Sequence, residues 1–311
     1  MHIALLDADV PVPTVYSARG LYSSQFRHLL ECAAERLSRH SPVHYTTFDV
    51  VGGSLPPLAS LRTEPDNSGG SSDSKTPVNP LARPIDAVLI TGAAAAAYDL
   101  DSHAWIRPLQ SFIQTVYTDY PHVKLFGSCF GHQIIAQALL SPAFPGHDPA
   151  RAFKAEAAGR DGSEHGLVSF ALTPSFADRF SGRTASPLPA CMRLQMVHGD
   201  WVAPVSGAKG EDGSLPLPAG WMNMGSSERC PVQGLYCPQR VLTYQGHFEF
   251  DVFVTRETVV EFGRRNGWES AAVQRYVEDI QKGREGCAEG QDDNDDSKVA
   301  AEVVMLFFAE G

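Results

Sequence analysis

The first half of the chain alternates between short apolar runs and longer amphipathic stretches. Runs rich in β-branched residues predict strands, and apolar positions three and four residues apart predict helices. The run at 85–90 is apolar around a single Asp86, which is typical of a strand buried on both faces. Regular alternation of this kind predicts βαβ units and an α/β fold with a doubly wound, largely parallel sheet. The predicted strands are residues 2–6, 43–48, 85–90 and 123–126, and the predicted helices are residues 23–39, 103–117 and 130–140.

The second half has a different pattern. Strand-like segments follow one another without a long helix between them, which predicts hairpins or an antiparallel extension of the sheet. They are residues 167–172, 192–197, 232–236 and 241–244. Helical spacing returns at residues 257–282, which predict a pair of helices, and at residues 298–308, which predict a final helix. We therefore expect one large domain over residues 1–255 and a helical extension over residues 256–311.

Two segments lack the apolar residues that could offset the entropy of ordering them. Residues 63–80 are rich in Ser, Gly, Asn, Asp and Pro and predict a flexible insertion, and residues 205–220 are a milder case. Residues 283–297 predict a loop that contains the acidic run 292–296. That run could be a metal or partner site, but blocks of like charge are more often solvated loops, which is the interpretation we favour.

Composition narrows the class of protein. The 311 residues include 25 Lys and Arg against 36 Asp and Glu, a formal net charge of -11 at pH 7. A surface that follows nucleic-acid phosphates needs clustered cations, so this balance argues against a nucleic-acid partner. No stretch approaches the roughly 18 apolar residues of a membrane helix, and residues 1–7 do not resemble a signal peptide. We expect a cytoplasmic protein with no membrane partner.

The cysteines and histidines predict neither a disulfide scaffold nor a metal site. The six cysteines are widely spaced and form no CxxC pair, so we interpret most of them as free thiols in a reducing compartment. They are Cys32, Cys129, Cys191, Cys230, Cys237 and Cys287. The histidine spacing contains no HxH or HExxH pattern, and no cofactor is expected.

The most informative stretch runs from Gly127 through Cys129 to Gly131, between the predicted strand at 123–126 and the predicted helix at 130–140. A Gly-x-Cys-x-Gly sequence there is the cysteine counterpart of the nucleophile elbow, a strained strand-to-helix turn. The glycines allow close strand–helix contact. The helix N-terminus favours a thiolate, and the Phe130 amide is placed to donate to an oxyanion. By itself, Cys129 could equally be a buried core thiol.

A thiolate nucleophile needs a base and a group that orients the base. His247 and Glu249 supply both types of side chain at the end of a strand-like run, and residues two apart in extended backbone project to the same side. The simpler alternative is a surface His beside a surface Glu. His132 is a competing base only three residues from Cys129, but on the following helix it would project away from the sulfur, so we interpret it as structural.

These residues together resemble the class I glutamine amidotransferase domain. The resemblance rests on Gly127-Ser128-Cys129-Phe130-Gly131-His132-Gln133, Gln245-Gly246-His247-Phe248-Glu249, Ile90-Thr91-Gly92 and Val197-His198-Gly199-Asp200-Trp201-Val202. It covers about residues 1–255 and implies a flavodoxin-like fold. Residues 90–113 are more particularly similar to stand-alone members such as plant γ-glutamyl peptidases and their fungal relatives. One departure is Phe248, since the family usually has Pro between the His and the Glu; its loss frees φ but removes no reacting group.

The resemblance implies roles for several side chains. Cys129 would be the nucleophile, His247 the base and Glu249 its orienting group. The Gly92 and Phe130 amides would form the oxyanion hole. Gln133 would help to hold the glutamyl moiety, and His198 and Asp200 would line the substrate pocket. The last two could equally just end a strand and cap a turn.

The implied chemistry is hydrolysis of a γ-glutamyl amide through a glutamyl-thioester on Cys129. We expect no second catalytic domain, because the chain after about residue 255 is short and predicts helical packing. The substrate would then be a γ-glutamyl peptide or glutathione conjugate, with the identity of the leaving amine left open. Two alternatives remain: a glutaminase subunit that delivers ammonia to a separate synthase, and a non-catalytic or redox-sensing protein on the same fold.

Overall fold

The computed structural model describes residues 1–39, 41–65, 79–146, 148–207, 215–285, 287 and 293–310, with the side chains of residues 160 and 161 excepted. Most of the insertion predicted at 63–80 therefore lies outside the described residues. The same holds for residues 208–214 of the loop at 205–220. In the loop predicted at 283–297, residues 286 and 288–292 lie outside them, including Asp292 of the acidic run.

The described residues form alternating strands and helices in the first half and mostly strands in the second. The strands are β1 (His2–Asp7), β2 (His44–Asp49), β3 (Ala87–Ile90), β4 (Lys124–Ser128), β5 (Phe153–Ala157), β6 (Glu164–Leu172), β7 (Cys191–His198), β8 (Asp200–Pro204), β9 (Met222–Asn223), β10 (Gly225–Ser226), β11 (Leu235–Cys237) and β12 (Val241–Tyr244). The helices are α1 (Pro13–Arg19), α2 (Tyr22–Arg36), α3 (Ile106–Asp119), α4 (Phe130–Leu139), α5 (Gly159–Gly162), α6 (Pro174–Phe180), α7 (Val252–Asn266), α8 (Ser270–Gln281) and α9 (Ser297–Phe308).

The central sheet has the strand order β2-β1-β3-β4-β12-β11-β9. The strands from β2 to β12 pair in parallel, whereas β11 and β9 add an antiparallel edge. This arrangement confirms the predicted α/β fold with a largely parallel sheet and an antiparallel extension. It places the carboxyl ends of β3, β4 and β12 side by side, where open α/β sheets usually bind ligands.

Helices cover both faces of this sheet. Ile3 and Leu5 of β1 face one apolar cluster, which also contains buried side chains of α2, α7 and α9. Ala4 and Leu6 face a second cluster with side chains of α3 and α4. Successive residues of a strand point to opposite faces, so β1 reads as one continuous apolar run because both of its faces are buried.

Smaller sheets lie beside the central one. β10, β6 and β7 form an antiparallel sheet, and β5 pairs with β8 in an antiparallel ribbon. The sequence pattern did not predict β5, β8, α1 or α6, all of which are eight residues or shorter. The boundary predicted between residues 255 and 256 falls within α7, and α9 is buried along nearly its whole length between α2 and the sheet. Among the described helices, none is both long and apolar enough to cross a membrane.

Candidate active site

Cys129 occupies a sharp turn between β4 and α4. Its φ of 51° and ψ of -106° lie in a region that side chains rarely adopt, and it directly precedes the first residue of α4. A Cβ on Gly127 would lie 2.3 Å from the Gly131 carbonyl, and a Cβ on Gly131 would lie 2.3 Å from the Ile90 carbonyl oxygen. Gly127 is therefore required for β4 to approach α4 so closely, and Gly131 for α4 to approach β3. A strained turn of this kind is typical of a functional site.

The Cys129 side chain is buried but borders a cavity, with 6% of its surface exposed. Its Sγ lies 3.9 Å from the Val197 carbonyl oxygen and 3.8 Å from Nε2 of Gln245. The amide of Phe130, at the first position of α4, has no acceptor within the helix. The sulfur therefore lies at the positive end of the helix dipole, where an anion is favoured.

Glu249 holds the His247 ring next to the thiol. Its Oε1 accepts a hydrogen bond of 2.6 Å from His247 Nδ1, which leaves Nε2 for Cys129. Ser128 Oγ, from the residue before the thiol, lies 3.3 Å from both Glu249 oxygens. The sulfur, the imidazole and the carboxylate thus lie in a row, although Cys129 is far from the other two residues in the chain.

The His247 ring is fixed from several directions. It stacks on Phe250 with centroids 3.9 Å apart and planes at 9°, and its backbone N–H donates to the Gln195 carbonyl at 2.9 Å. A Cβ on Gly92 would lie 3.0 Å from the ring's Cε1, so Gly92 faces both His247 and Cys129. Burial lowers the pKa of His247, but Coulombic attraction to Glu249 and Cys129 and hydrogen bonds with both outweigh it and raise the pKa to about 10.

Phe248 shows why the departure from Pro leaves this geometry intact. Its ring is 1% exposed and packs edge-on against Phe26, Phe126 and Tyr244 in the core. The backbone after β12 is extended enough to send Phe248 to one side and His247 and Glu249 to the other.

Gln133 and Asp200 line the same cavity as the thiol of Cys129. Gln133 Nε2 donates to the Asp200 carbonyl at 3.0 Å and lies 3.3 Å from Gln245 Oε1. The Asp200 carboxylate accepts from the Tyr98 hydroxyl at 3.0 Å. Burial raises the pKa of Asp200, and the hydrogen bond from Tyr98 opposes that shift. All of these groups are held by one another, so the cavity wall is a connected polar network.

His198 forms a second buried His–carboxylate pair. Its Nε2 lies 3.0 Å from Glu164 Oε2, and its Nδ1 lies 3.1 Å from the Asp200 carbonyl oxygen. Glu164 also accepts from Ser227 Oγ at 2.5 Å and from Gln233 Nε2 at 2.7 Å. Burial would raise the pKa of Glu164, but its hydrogen bonds and the His198 charge lower it overall. Both ring nitrogens of His198 therefore face acceptors, and neither is left to face the sulfur.

Glu164, His198 and Cys230 could also be considered as metal ligands, since their donor atoms all lie within 4.8 Å of one another. The Glu164 carboxylate already has three hydrogen-bond partners, His198, Ser227 and Gln233. Burial raises the pKa of Cys230 to about 12. A metal would have to displace those hydrogen bonds and deprotonate that thiol. We therefore assign the cluster as a hydrogen-bonded network.

His132, the competing base, points away from the sulfur. Its Nδ1 lies 2.7 Å from Thr243 Oγ1 on β12, and burial lowers its pKa to about 3, with the nearby His198 adding to the effect.

Sequence reasoning gave no role to Glu164, Gln245, Ser128 or Tyr98. Gln245 had a usable signal, because it stands two residues before His247 and so projects to the same side. Glu164 had none: it is 34 residues from His198, and only the β6–β7 register sets the two opposite each other.

A cavity of about 740 Å³ opens above Cys129. Its lining includes Gln133, Val197, His198, Asp200 and residues 93–95, and also residues of α7, of α8 and of the turn between them. Cavities of this size hold ligands considerably larger than one amino acid. The segment after residue 255 therefore contributes directly to the space in front of the thiol.

Known proteins resemble this chain over most of its length, although no protein-family model matches it. A protein of Schizosaccharomyces pombe described as glutamine amidotransferase-like is 29% identical over 258 residues, 83% of this chain and 83% of the relative. A Saccharomyces cerevisiae protein described as a glutamine amidotransferase is 32% identical over 235 residues, 75% of this chain and 70% of the relative. A solved glutamine amidotransferase of Thermotoga maritima aligns over 99% of this chain and 98% of its own with a TM-score of 0.55 and 12% identity, a likeness of fold.

Proposed function

Because the chain belongs to the glutamine amidotransferase-like proteins, we propose that it is a cysteine hydrolase that cleaves the γ-glutamyl amide bond of a peptide or conjugate. The observation that carries the proposal is that the Cys129 sulfur, the His247 ring and the Glu249 carboxylate lie in a row. Cys129 lines a cavity of about 740 Å³. A cavity closed around glutamine would favour a glutaminase, whereas this one has room for a larger leaving group.

The reaction begins with Cys129 as thiolate and His247 as imidazolium. The sulfur attacks the δ-carbonyl carbon, and the amides of Gly92 and Phe130 hold the oxyanion that forms. His247 Nε2 then gives its proton to the nitrogen as the C–N bond breaks, so the amine leaves neutral and a glutamyl-thioester remains. Glu249 keeps Nδ1 protonated throughout and stabilises the imidazolium.

Water completes the cycle. Neutral His247 takes a proton from water as its oxygen attacks the thioester, the C–S bond breaks, and the thiolate–imidazolium pair is restored. The net reaction consumes one water and releases glutamate and one amine. Gln133, His198 and Asp200 border the glutamyl end of the cavity in this proposal, with Gln133 positioned by the Asp200 carbonyl and by Gln245.

Incubation of the purified protein with a γ-glutamyl dipeptide tests the proposal. We expect release of free glutamate, a glutamyl adduct on the Cys129 peptide by mass spectrometry after acid quenching, and no release by Cys129→Ser. Cys191→Ser is the matched control, because Cys191 is exposed at the start of β7 and remote in sequence from the elbow. Absence of glutamate release from every γ-glutamyl compound would reject hydrolysis by the chain alone.

The descriptions of the two yeast relatives favour a second candidate function. One is described as glutamine amidotransferase-like and the other as a glutamine amidotransferase. In that case the chain would hydrolyse glutamine and deliver ammonia to a separate synthase. Cleavage of glutamine alone, and only in the presence of a partner protein, would support this function over peptide hydrolysis. A redox-sensing role without catalysis would require alkylation of Cys129 that His247→Gln leaves unchanged.

A further inference from the structure

The part of the cavity wall formed by α8 carries a cation for which the described residues provide no ion-pair partner. Arg275 of α8 is the only Lys or Arg among the described residues that line the cavity, and its side chain is exposed. No carboxylate of the described chain lies within ion-pair distance of it, whereas the α7 arginines Arg256, Arg264 and Arg265 all pair with Glu. Glu269 also lines the cavity, but it lies six residues away, about 9 Å along the helix axis.

The helix that carries Arg275 is docked firmly. The His165 ring of β6 stacks on Tyr276 with centroids 4.3 Å apart, and Trp268 meets His165 edge-on at 5.2 Å. Gly166, with φ of 98°, lets β6 approach the α8 backbone, since a Cβ there would lie 3.0 Å from Asp279. Burial lowers the pKa of His165 to about 4, so this aromatic cluster is neutral. Arg275 therefore projects from a fixed apolar wall.

Position along the cavity indicates which part of a substrate meets this wall. Phe262 of α7 borders both the large cavity and the small recess that contains His247 and Phe250, as do Ala93, Ala94 and Val197. Gln133, His198 and Asp200 border the large cavity but not the recess. His247 must reach the leaving nitrogen in the proposed reaction, so the leaving group lies on the side of the thiol that faces α7 and α8. The glutamyl group lies on the side of Gln133 and Asp200.

We infer that Arg275 binds the carboxylate of the leaving group, so that the preferred substrate is a γ-glutamyl amino acid or short peptide with a free C-terminus. The inference rests on the proposed function, of which it specifies the substrate class. Phe262, Trp268 and Tyr276 form the apolar surface beside the cation and fit a large apolar side chain on the residue that leaves. A γ-glutamyl substrate has two carboxylates, and the experiment must separate the glutamyl α-carboxylate from that of the leaving group.

The test compares kcat/KM for γ-glutamylphenylalanine, its C-terminal amide and glutamine. We expect the wild type to prefer the acid over its amide by about fivefold, the effect of one ion pair at a partly exposed position. Arg275→Gln should remove that preference by raising KM for the acid, with the rates on the amide and on glutamine unchanged. Arg275→Lys should keep part of it, and Arg256→Gln, an exposed arginine of the adjacent helix, should keep all of it.

Two results would overturn the inference while the proposed function stands. If Arg275→Gln lowers kcat/KM equally for acid, amide and glutamine, Arg275 binds the glutamyl carboxylate or only supports α8. If it changes none of them, the cation does not contact the substrate. Wild-type protein that releases glutamate from neither dipeptide nor any other γ-glutamyl compound refutes the proposed function itself. The preference for the acid should also weaken as salt is raised, because exposed ion pairs are screened.

Discussion

Two buried His–Glu pairs lie close to Cys129: His198 lines the large cavity, and His247 lines the small recess beside it. In the His247–Glu249 pair the carboxylate takes Nδ1 and leaves Nε2 for Cys129. In the His198–Glu164 pair the carboxylate takes Nε2, and the Asp200 carbonyl takes Nδ1. Both pairs are buried, and both carboxylates accept further hydrogen bonds from a serine. In the reaction proposed above, burial and an acidic partner are therefore not enough to make a histidine the base; a ring nitrogen must also remain free to face Cys129.

Substitution of the two histidines should give the largest difference in activity between the two pairs. We expect His247→Gln to lower kcat by about 10²–10⁴, because general acid–base catalysis by one side chain contributes that much. His198→Gln should lower kcat/KM by less than about tenfold, mostly through KM, since His198 lines the cavity without facing the sulfur. Steady-state rates of glutamate release would measure both, and equal losses in kcat would contradict the distinction.

Removal of each carboxylate should separate stability from activity. Glu164→Ala leaves the buried donors of His198, Ser227 and Gln233 without their acceptor, so we expect a loss of about 3 kcal/mol in the free energy of unfolding, about 1 kcal/mol for each donor. Urea denaturation measures this, and Glu164→Gln, which keeps two hydrogen-bonding atoms, should lose less. Glu249→Gln should lose turnover as well as stability, since Glu249 is the main cause of the raised pKa of His247, whereas Glu164→Gln should keep most of its turnover. A stable Glu164→Ala variant would show that the second pair is dispensable for the fold.

The pH dependence of thiol alkylation should also distinguish the effects of the two histidines on Cys129. His247 has a pKa raised to about 10, so its charge beside Cys129 persists through neutral pH. We expect the Cys129 peptide to be alkylated faster in the wild type than in His247→Gln at neutral pH, because a positive charge beside a sulfur favours the thiolate, and the difference to narrow as the pH rises through 10. His198→Gln should match the wild type at each pH, and the exposed Cys191 in the same digest is the internal control.

The stability of the folded protein should also depend on the titration of His247. Because folding raises the pKa of His247 from 6.5 to about 10, the folded protein binds more protons than the unfolded chain between those values. The stabilisation is complete below pH 6.5 and is lost as the pH rises through 10. The difference in Tm between the wild type and His247→Gln should therefore shrink from pH 6.5 to 10, and a difference that grows would contradict the raised pKa.

The smallest effect should come from the serines that support the two carboxylates. Ser128→Ala removes a 3.3 Å hydrogen bond to Glu249, and we expect kcat to fall by about fivefold, the value of one modest hydrogen bond. Ser227→Ala removes the 2.5 Å hydrogen bond to Glu164 and should lower the urea midpoint with little change in kcat. Reversal of these two outcomes would mean that the pairs had been assigned the wrong roles.

Local patterns were enough for most of the architecture. The alternation of apolar runs and amphipathic stretches predicted β1 to β4, α2 to α4 and α7 to α9 within a few residues, because strands buried on both faces and long helices leave strong periodic signals. The short elements β5 and β8 were missed. Each has five residues, and their pairing depends on contacts across more than forty positions of the chain.

The strand–turn–helix around Cys129 could be predicted from the amino-acid pattern, since two glycines and a short-range pattern are sufficient to define that turn. The same holds for the shared side of His247 and Glu249, since alternation in extended backbone is local. The pairing of His198 with Glu164 and the position of Arg275 at the cavity, in contrast, follow from how distant elements pack. Strand register and helix docking depend on the whole core, and no local spacing records which distant side chains they bring into contact.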